Sequence, residues 1–140
     1  MTKPIIYELL EEIQRNLDLL QRLRAVPEEA FVSDPERYLL AERCFQLAIQ
    51  CLLDISFYIA SQQGWQRPES SSEAVLLMGT QGVLTREFSE KIVGMANFRN
   101  VLVHAYLKID RHIVYRFLSD LDDFREFSRQ VLDYLETEAV

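Results

Sequence analysis

Turn formers are scarce in this chain, with four glycines and four prolines among 140 residues. An all-β fold built from many short strands needs more of both, so helices are the expected elements. Disorder is excluded from the other side, because 49% of the residues are hydrophobic and supply apolar surface to bury. Only two cysteines occur, Cys44 and Cys51. Seven residues apart in one helical segment, their Cα atoms would sit ~10 Å apart, beyond disulfide reach, so they read as core thiols in a reducing compartment. Neither paired CxxC nor HExxH spacing is present, nor a Gly-rich phosphate loop, a GxSxG elbow or a carboxylate pair beside a histidine. No metal site and no cofactor are therefore expected. No apolar run approaches the ~18–20 residues of a bilayer span, and the opening MTKPIIYELLEEIQRN is acidic and lacks the apolar segment of a secretion signal. The expectation is a cytoplasmic protein without membrane contact.

What the chain does have is helical periodicity. Ile6, Leu9, Leu10, Ile13, Leu17 and Leu20 repeat at three- and four-residue steps and predict a helix over residues 4–24. The segment AVPEEAFVSDPE breaks the pattern, and Ser33 or Asp34 before Pro35 marks the next helix start, since a polar cap satisfies free N–H groups and proline tolerates the first turn. That second helix reaches about Gln63, is apolar around much of its circumference, and ends at Gly64. A short helix follows the loop GWQRPESSSE, capped within Ser70 to Ser72 and stopping at Gly79 or Gly82, with Trp65 closing the corner. Thr85 opens a fourth helix running to Tyr106, and Asp110 caps a fifth that reaches about Glu136. The expected fold is all-α: one domain over residues 1–140, an antiparallel bundle of four long helices and one short one. A chain of this length can bury roughly 68% of its unfolded surface, so it needs no staples.

The net charge of −7 argues against a phosphate-rich partner, but its distribution is uneven. Residues 85–116 carry six bases (Arg86, Lys91, Arg99, Lys108, Arg111, Arg116) against three acids, which makes this window +3 and the remainder −10. Inside it lies FRNVLVHAY, residues 98–106, which places an arginine, an asparagine and one of only two histidines in an otherwise apolar helix. Arg99 interrupts the stripe Phe88, Ile92, Met95, Leu102, Tyr106, while Asn97, Asn100 and His104 line up about 140° around the helix. Asn100, four residues before His104, is the one placed to touch the imidazole. Either these groups pair structurally, Arg99 and His104 with Asp54 or Asp120, or they line a site. Phosphodiester cleavage needs a proton acceptor, a proton donor and a cation, and a two-fold dimer would bring two copies of each around one cleft. His112, near the start of the last helix, is expected to face solvent and is the only other imidazole available as acid or base.

The string Arg99, NVLV, His104 resembles the R-x4-6-H motif of ribonucleases in the HEPN superfamily. RNVLVHAY followed by ID, with ERCFQLAIQCLLDIS before it and VYRFLSDLDDF after it, is similar to the HepT family of small bacterial toxins over about residues 5–136. The resemblance implies a homodimeric, metal-independent endoribonuclease acting on tRNA or mRNA at the dimer cleft. His104 would be the general base on a ribose 2′-hydroxyl and Arg99 the phosphate ligand, with Asn100 orienting one or the other. It also implies a minimal nucleotidyltransferase antitoxin that transfers AMP to Tyr106, adding charge and bulk where RNA must lie, and that binds the dimer alone or in a larger hetero-oligomer. Lys91, Lys108, Arg111 and Arg116 would meet the RNA backbone at the cleft, Arg86 less directly. Two alternatives stay open: a catalytically silent HEPN-type module that docks a nucleotidyltransferase or a nucleotide, and a plain helical dimerisation domain.

Overall fold

The computed structural model describes residues 2–138, and the side chains of residues 4–105 and 107–138 among them. Eight α-helices follow one another: α1 (Thr2–Arg24), α2 (Glu28–Val32), α3 (Pro35–Gln62), α4 (Ser71–Thr80), α5 (Arg86–Ile92), α6 (Gly94–His104), α7 (Arg111–Phe117) and α8 (Leu121–Glu138). Among the described residues there is no strand. Local chemistry starts the helices where polar caps stand. Asp34 accepts from the Glu36 amide, with Pro35 in the first turn, Ser70 accepts from the Glu73 amide, and Thr85 accepts from the Phe88 amide. Glu73 reciprocates by accepting from the Glu69 amide at 2.7 Å.

Apolar stripes then decide the packing. Ile6, Leu10, Ile13, Leu17, Leu20 and Leu23 are all buried, and they seat α1 along α3. Ile6, near the start of α1, and Ile59, near the end of α3, line the same small cavity, so the two helices run antiparallel. Arg125 near the start of α8 donates to Gln21 near the end of α1 at 3.1 Å, and Leu135 near the end of α8 lines the same small cavity as Ile6, which makes α8 antiparallel to α1. The α5–α6 arm opposes α8 in turn: the Thr85 amide donates to Gln130 at 2.8 Å, and Lys91 pairs with Asp123 at 3.1 Å. The result is the expected antiparallel helical bundle, with α4 inside one connection.

At its centre Phe45 of α3 meets Phe98 of α6, Phe117 of α7 and Phe124 of α8 with ring centroids 5.7, 6.2 and 6.3 Å away. Cys44 and Cys51 are buried free thiols, as expected, and burial, aided by Glu12 and Asp54, pushes Cys51 up to about 11.

Four features differ from the sequence reading. The AVPEEAFVSDPE break contains a short helix, α2, because Phe31 is apolar enough to be drawn fully into the core. The fourth helix is not continuous: Ala96 bonds the Val93 carbonyl three residues back, at 3.2 Å, and the axis restarts at Gly94. The fifth is divided by a tight 3-10 turn over Leu118–Asp120. Finally, α3 is long and apolar enough by composition to cross a bilayer, contrary to the reading that no such run exists. Its apolar surface is spent inside the bundle, with Phe45, Leu52, Leu53 and Ile55 almost wholly enclosed.

Gly82 ends α4 with φ +80°, a conformation that favours glycine. Gly79 does different work inside α4: a Cβ there would lie 2.0 Å from Ser89 Oγ and 2.7 Å from Ser89 Cβ. Gly79→Ala should gain under ~1 kcal/mol of helix propensity and lose about 1–3 kcal/mol to the clash between α4 and α5. We expect a fall of several degrees in Tm by calorimetry. Adding Ser89→Ala should restore only part of it, because Ser89's own Cβ is one of the clashing atoms.

Candidate functional site

The unusual nonamer lies on α6 and on the turn beyond it. Met95, Ala96, Phe98 and Leu102 hold α6 to the core, which leaves Asn97, Asn100 and His104 exposed and Arg99 half-buried at the edge. The helix stops at His104, two residues earlier than periodicity suggested. Ala105 leaves the helical region with φ −120° and ψ 33°, its amide still bonding the Val101 carbonyl at 2.9 Å. A 3-10 turn over Tyr106–Lys108 follows, closed by the Lys108 amide on the Ala105 carbonyl at 2.8 Å. His104 is therefore at a helix end and open to water, not in an apolar helix middle. The backbone of Tyr106 opens this turn, so it does not continue the α6 stripe, and its side chain lies outside the described residues.

His104, Ala105, Leu107 and Lys108 surround an open cleft of about 360 Å³. The structure thus brings His104 and Lys108 together. It also brings Arg99 and Asn100 together, since the Arg99 Nη1 donates to Asn100 Oδ1 at 3.3 Å. Asn100 consequently faces the guanidinium, and among the described residues no hydrogen bond joins it to the imidazole, contrary to the expectation from spacing. Nor does an ion pair join Arg99 or His104 to Asp54 or Asp120 among the described residues; Asp54 accepts from Gln50 at 2.7 Å instead. Arg99 Nε is buried and has no hydrogen-bond partner among the described residues. An unpaired buried donor costs ~1–3 kcal/mol, so this guanidinium gains from an anion that reaches it.

The other expected phosphate contacts divide. Lys108 and Arg116 are exposed. Lys91, also exposed, is engaged by Asp123 of α8 at 3.1 Å. Arg111 lies over the Tyr38 ring with its guanidinium carbon 4.0 Å from the centroid, beside Glu42, whose carboxyl is raised from its ordinary value by burial against the opposing pull of Arg111. That cation–π contact joins residues far apart in sequence, and nothing local signals it. Arg86 sits in the first turn of α5, at the close approach to Gly79. His112 is exposed but not free: its Nδ1 is 2.7 Å from Glu28 Oε2. Tyr115 donates from its hydroxyl to the Val26 carbonyl at 2.6 Å. Together these contacts clamp the start of α7 to α2 and α3, and so anchor the far end of the turn that carries Lys108. Among the described residues no three His, Cys, Asp or Glu side chains gather as a metal site.

Comparison with known proteins follows the same outline. A family model described as Ribonuclease HepT-like matches residues 13–131. The chain is 33% identical over 137 residues, 96% of its own length and 93% of the relative's, to a tRNA nuclease HepT of Aphanizomenon flos-aquae. It is 29% identical over 83 residues, 59% of its length and 62% of the relative's, to an mRNA nuclease HepT of Shewanella oneidensis. Among solved structures, a tri-AMPylated Shewanella oneidensis HEPN toxin in complex with MNT antitoxin superposes with a TM-score of 0.84 at 24% identity. The match covers 92% of this chain and 97% of that one, and at this identity it speaks for the fold alone.

The α7 clamp titrates. The Glu28 carboxylate, first by its hydrogen bond and then by its charge, holds the His112 pKa above the ordinary 6.5. A raised folded value means that the clamp's contribution is full below about 6.5 and is lost as pH rises through the folded value. By NMR the His112 ring should titrate above 6.5, and Glu28→Gln should bring it back towards that value. An unchanged midpoint in Glu28→Gln would show that the contact does not set it.

Proposed function

The chain belongs to the HepT-like ribonuclease family of the HEPN superfamily, and from that membership we propose that it is the toxin of a bacterial toxin–antitoxin pair, cutting RNA at a cleft formed by two copies. The observation that carries this reading is the exposed His104, placed with Lys108 at an open cleft one turn beyond a half-buried, under-partnered Arg99. One chain supplies one such histidine, and symmetric pairing supplies the second acid–base group that the reaction needs.

In this mechanism the His104 imidazole takes the proton of a ribose 2′-hydroxyl, and that oxygen attacks the adjacent phosphorus. The bond to the 5′-oxygen of the next nucleotide breaks, leaving a 2′,3′-cyclic phosphate, and an imidazolium returns a proton to the departing oxygen. Arg99 holds the non-bridging oxygens where negative charge grows, and Asn100 holds Arg99. Because these groups supply acid, base and cation, the reaction is metal-independent. Lys108 and Arg116 meet the flanking phosphates, and Lys91 and Arg111 join them only where RNA competes with Asp123 and Tyr38. The substrate class, tRNA or mRNA, comes from the relatives.

The antitoxin partner is a minimal nucleotidyltransferase, and its target is Tyr106. The phenolic oxygen attacks the α-phosphorus of ATP and releases pyrophosphate, leaving an AMP group of charge about −1 on the turn between His104 and Lys108. Placed there, it repels and obstructs the RNA backbone.

Two measurements test this. Purified protein should cleave RNA in EDTA, and His104→Ala and Arg99→Ala should each lose roughly 10²- to 10³-fold in rate; equal activity in the variants would overturn the assignment. Absence of cleavage in the wild type would favour a silent module that docks its partner. Coexpression with the nucleotidyltransferase should add AMP mass increments to the peptide containing Tyr106, and an unmodified, tightly bound complex would show inhibition by capture instead.

A further inference from the structure

A second cavity adjoins the histidine cleft and takes no part in the chemistry above. It lies between α6 and α7, holds about 300 Å³, and is walled by Phe98, Val101, Ile113 and Phe117, with Asn97, Asp110 and Lys108 among its polar lining. Resting on the ribonuclease reading, we propose that this cavity is a nucleobase subsite, holding the base of a nucleotide that adjoins the cleaved phosphate.

Size comes first. Ligand pockets run from ~300 to 1,000 Å³, so this cavity suits one planar ring system and little more. Its walls suit a ring face. Phe98 and Phe117 stack with centroids 4.0 Å apart and planes 2° from parallel, giving a flat aromatic wall whose outer ring is only half-buried. Opposite, Ile113 remains 43% exposed and Val101 half-buried, so apolar surface stays in contact with water unless something flat covers it.

The rim suits a base edge. The exposed Asn97 amide offers both a donor and an acceptor, as Watson–Crick edges require. Asp110 commits Oδ1 to the His112 amide at 2.9 Å and can present its second oxygen to a base amino group. An apolar side chain from a protein partner would fill the walls and leave both polar groups unused.

Placement supplies the remaining argument. Lys108 lines this cavity and the His104 cleft alike, so a phosphate held by its ammonium lies between the two. Asn97 and His104 stand seven residues apart on one helix, ~10 Å along the axis, comparable to the reach from a phosphate to a neighbouring base. The cavity would therefore give the enzyme a preference for the base beside the cut, which a contact to phosphate and ribose alone cannot give.

The full chain, labelled with ¹³C on Ile and Val methyls, can be titrated with an RNA dinucleotide made uncleavable by a 2′-deoxyribose at the cut, and with two versions each lacking one base. Val101 and Ile113 methyls should shift with the intact probe and with one base-less version, and the other version should bind about tenfold more weakly without moving them. Ile113→Trp, which fills the cavity from a partly exposed position, and Asn97→Ala, on the exposed rim, should each raise KM for a cleavable dinucleotide about tenfold with kcat retained. Shifts confined to His104 and Lys108, identical for all three probes, would overturn the subsite and leave the nuclease standing. Methyl shifts that follow protein concentration and ignore the probes would overturn it in favour of contact between copies. Base-dependent methyl shifts in a protein that cuts no RNA would support the subsite and sink the nuclease reading instead.

Discussion

The contact between Phe98 and Phe117 is the constraint on which the rest of the molecule depends. The two rings stack between the body of α6 and the last residue of α7, and both abut Phe45, the buried aromatic of α3. Their stacking holds α6 and α7 side by side and so limits the gap between them. Residues 105–110 must bridge that gap, and they do so with a 3-10 turn and an extended Ile109 before Asp110 caps α7. The exposure of His104 and the position of Lys108 are consequences of an aromatic packing that involves neither.

A second, polar constraint works from outside the core. The start of α7 carries Arg111 over Tyr38 and His112 against Glu28, while Tyr115 reaches the Val26 carbonyl. Each contact is modest at a half-exposed site, where Coulomb attraction is screened and cation–π contacts are worth ~0.5–1 kcal/mol. Their common effect is geometric: the far end of the turn between α6 and α7 is tied to α2 and α3, so the turn is held at both ends. This also explains the basic window at residues 85–116, which is not a uniform surface for nucleic acid. Part of it already has partners within the chain, Asp123 for the exposed Lys91 and Tyr38 for the half-buried Arg111, and Lys108 and Arg116 remain exposed. A chain of net charge −7 can meet a polyanion only through such local placement.

Much of the fold was readable in the order of residues. Alternating three- and four-residue spacing identified the core face of α1, and polar residues (Ser33 or Asp34, Ser70 to Ser72, Thr85, Asp110) marked the helix starts, of which Asp34, Ser70, Thr85 and Asp110 are the caps, because a side-chain oxygen acts on amides two or three residues away. Where the reading was too simple, the cause lies outside any local window. Phe31 makes a short helix of a segment that prolines mark as a break, because the core has a place for it. The tightening at Val93 and at Leu118–Asp120 lets two predicted rods bend around Phe45. Asn100 turned to Arg99, its neighbour in the chain, and not to His104 one helical turn later. Side-chain reach chose the adjacent residue over the partner that spacing had favoured.

The sequence by itself determined the helical class, the caps, the apolar stripes and the presence of arginine, asparagine and histidine in one short stretch, since all of these depend on interactions within a few residues. Only the tertiary structure decided that α6 ends at His104, that Lys108 shares its cleft, and that Lys91 and Arg111 have partners of their own. Lys91 and Arg111 find partners dozens of positions away, and the turn that carries Lys108 spans two helices packed on the same aromatic core, so these energies are realised only when the helices have packed.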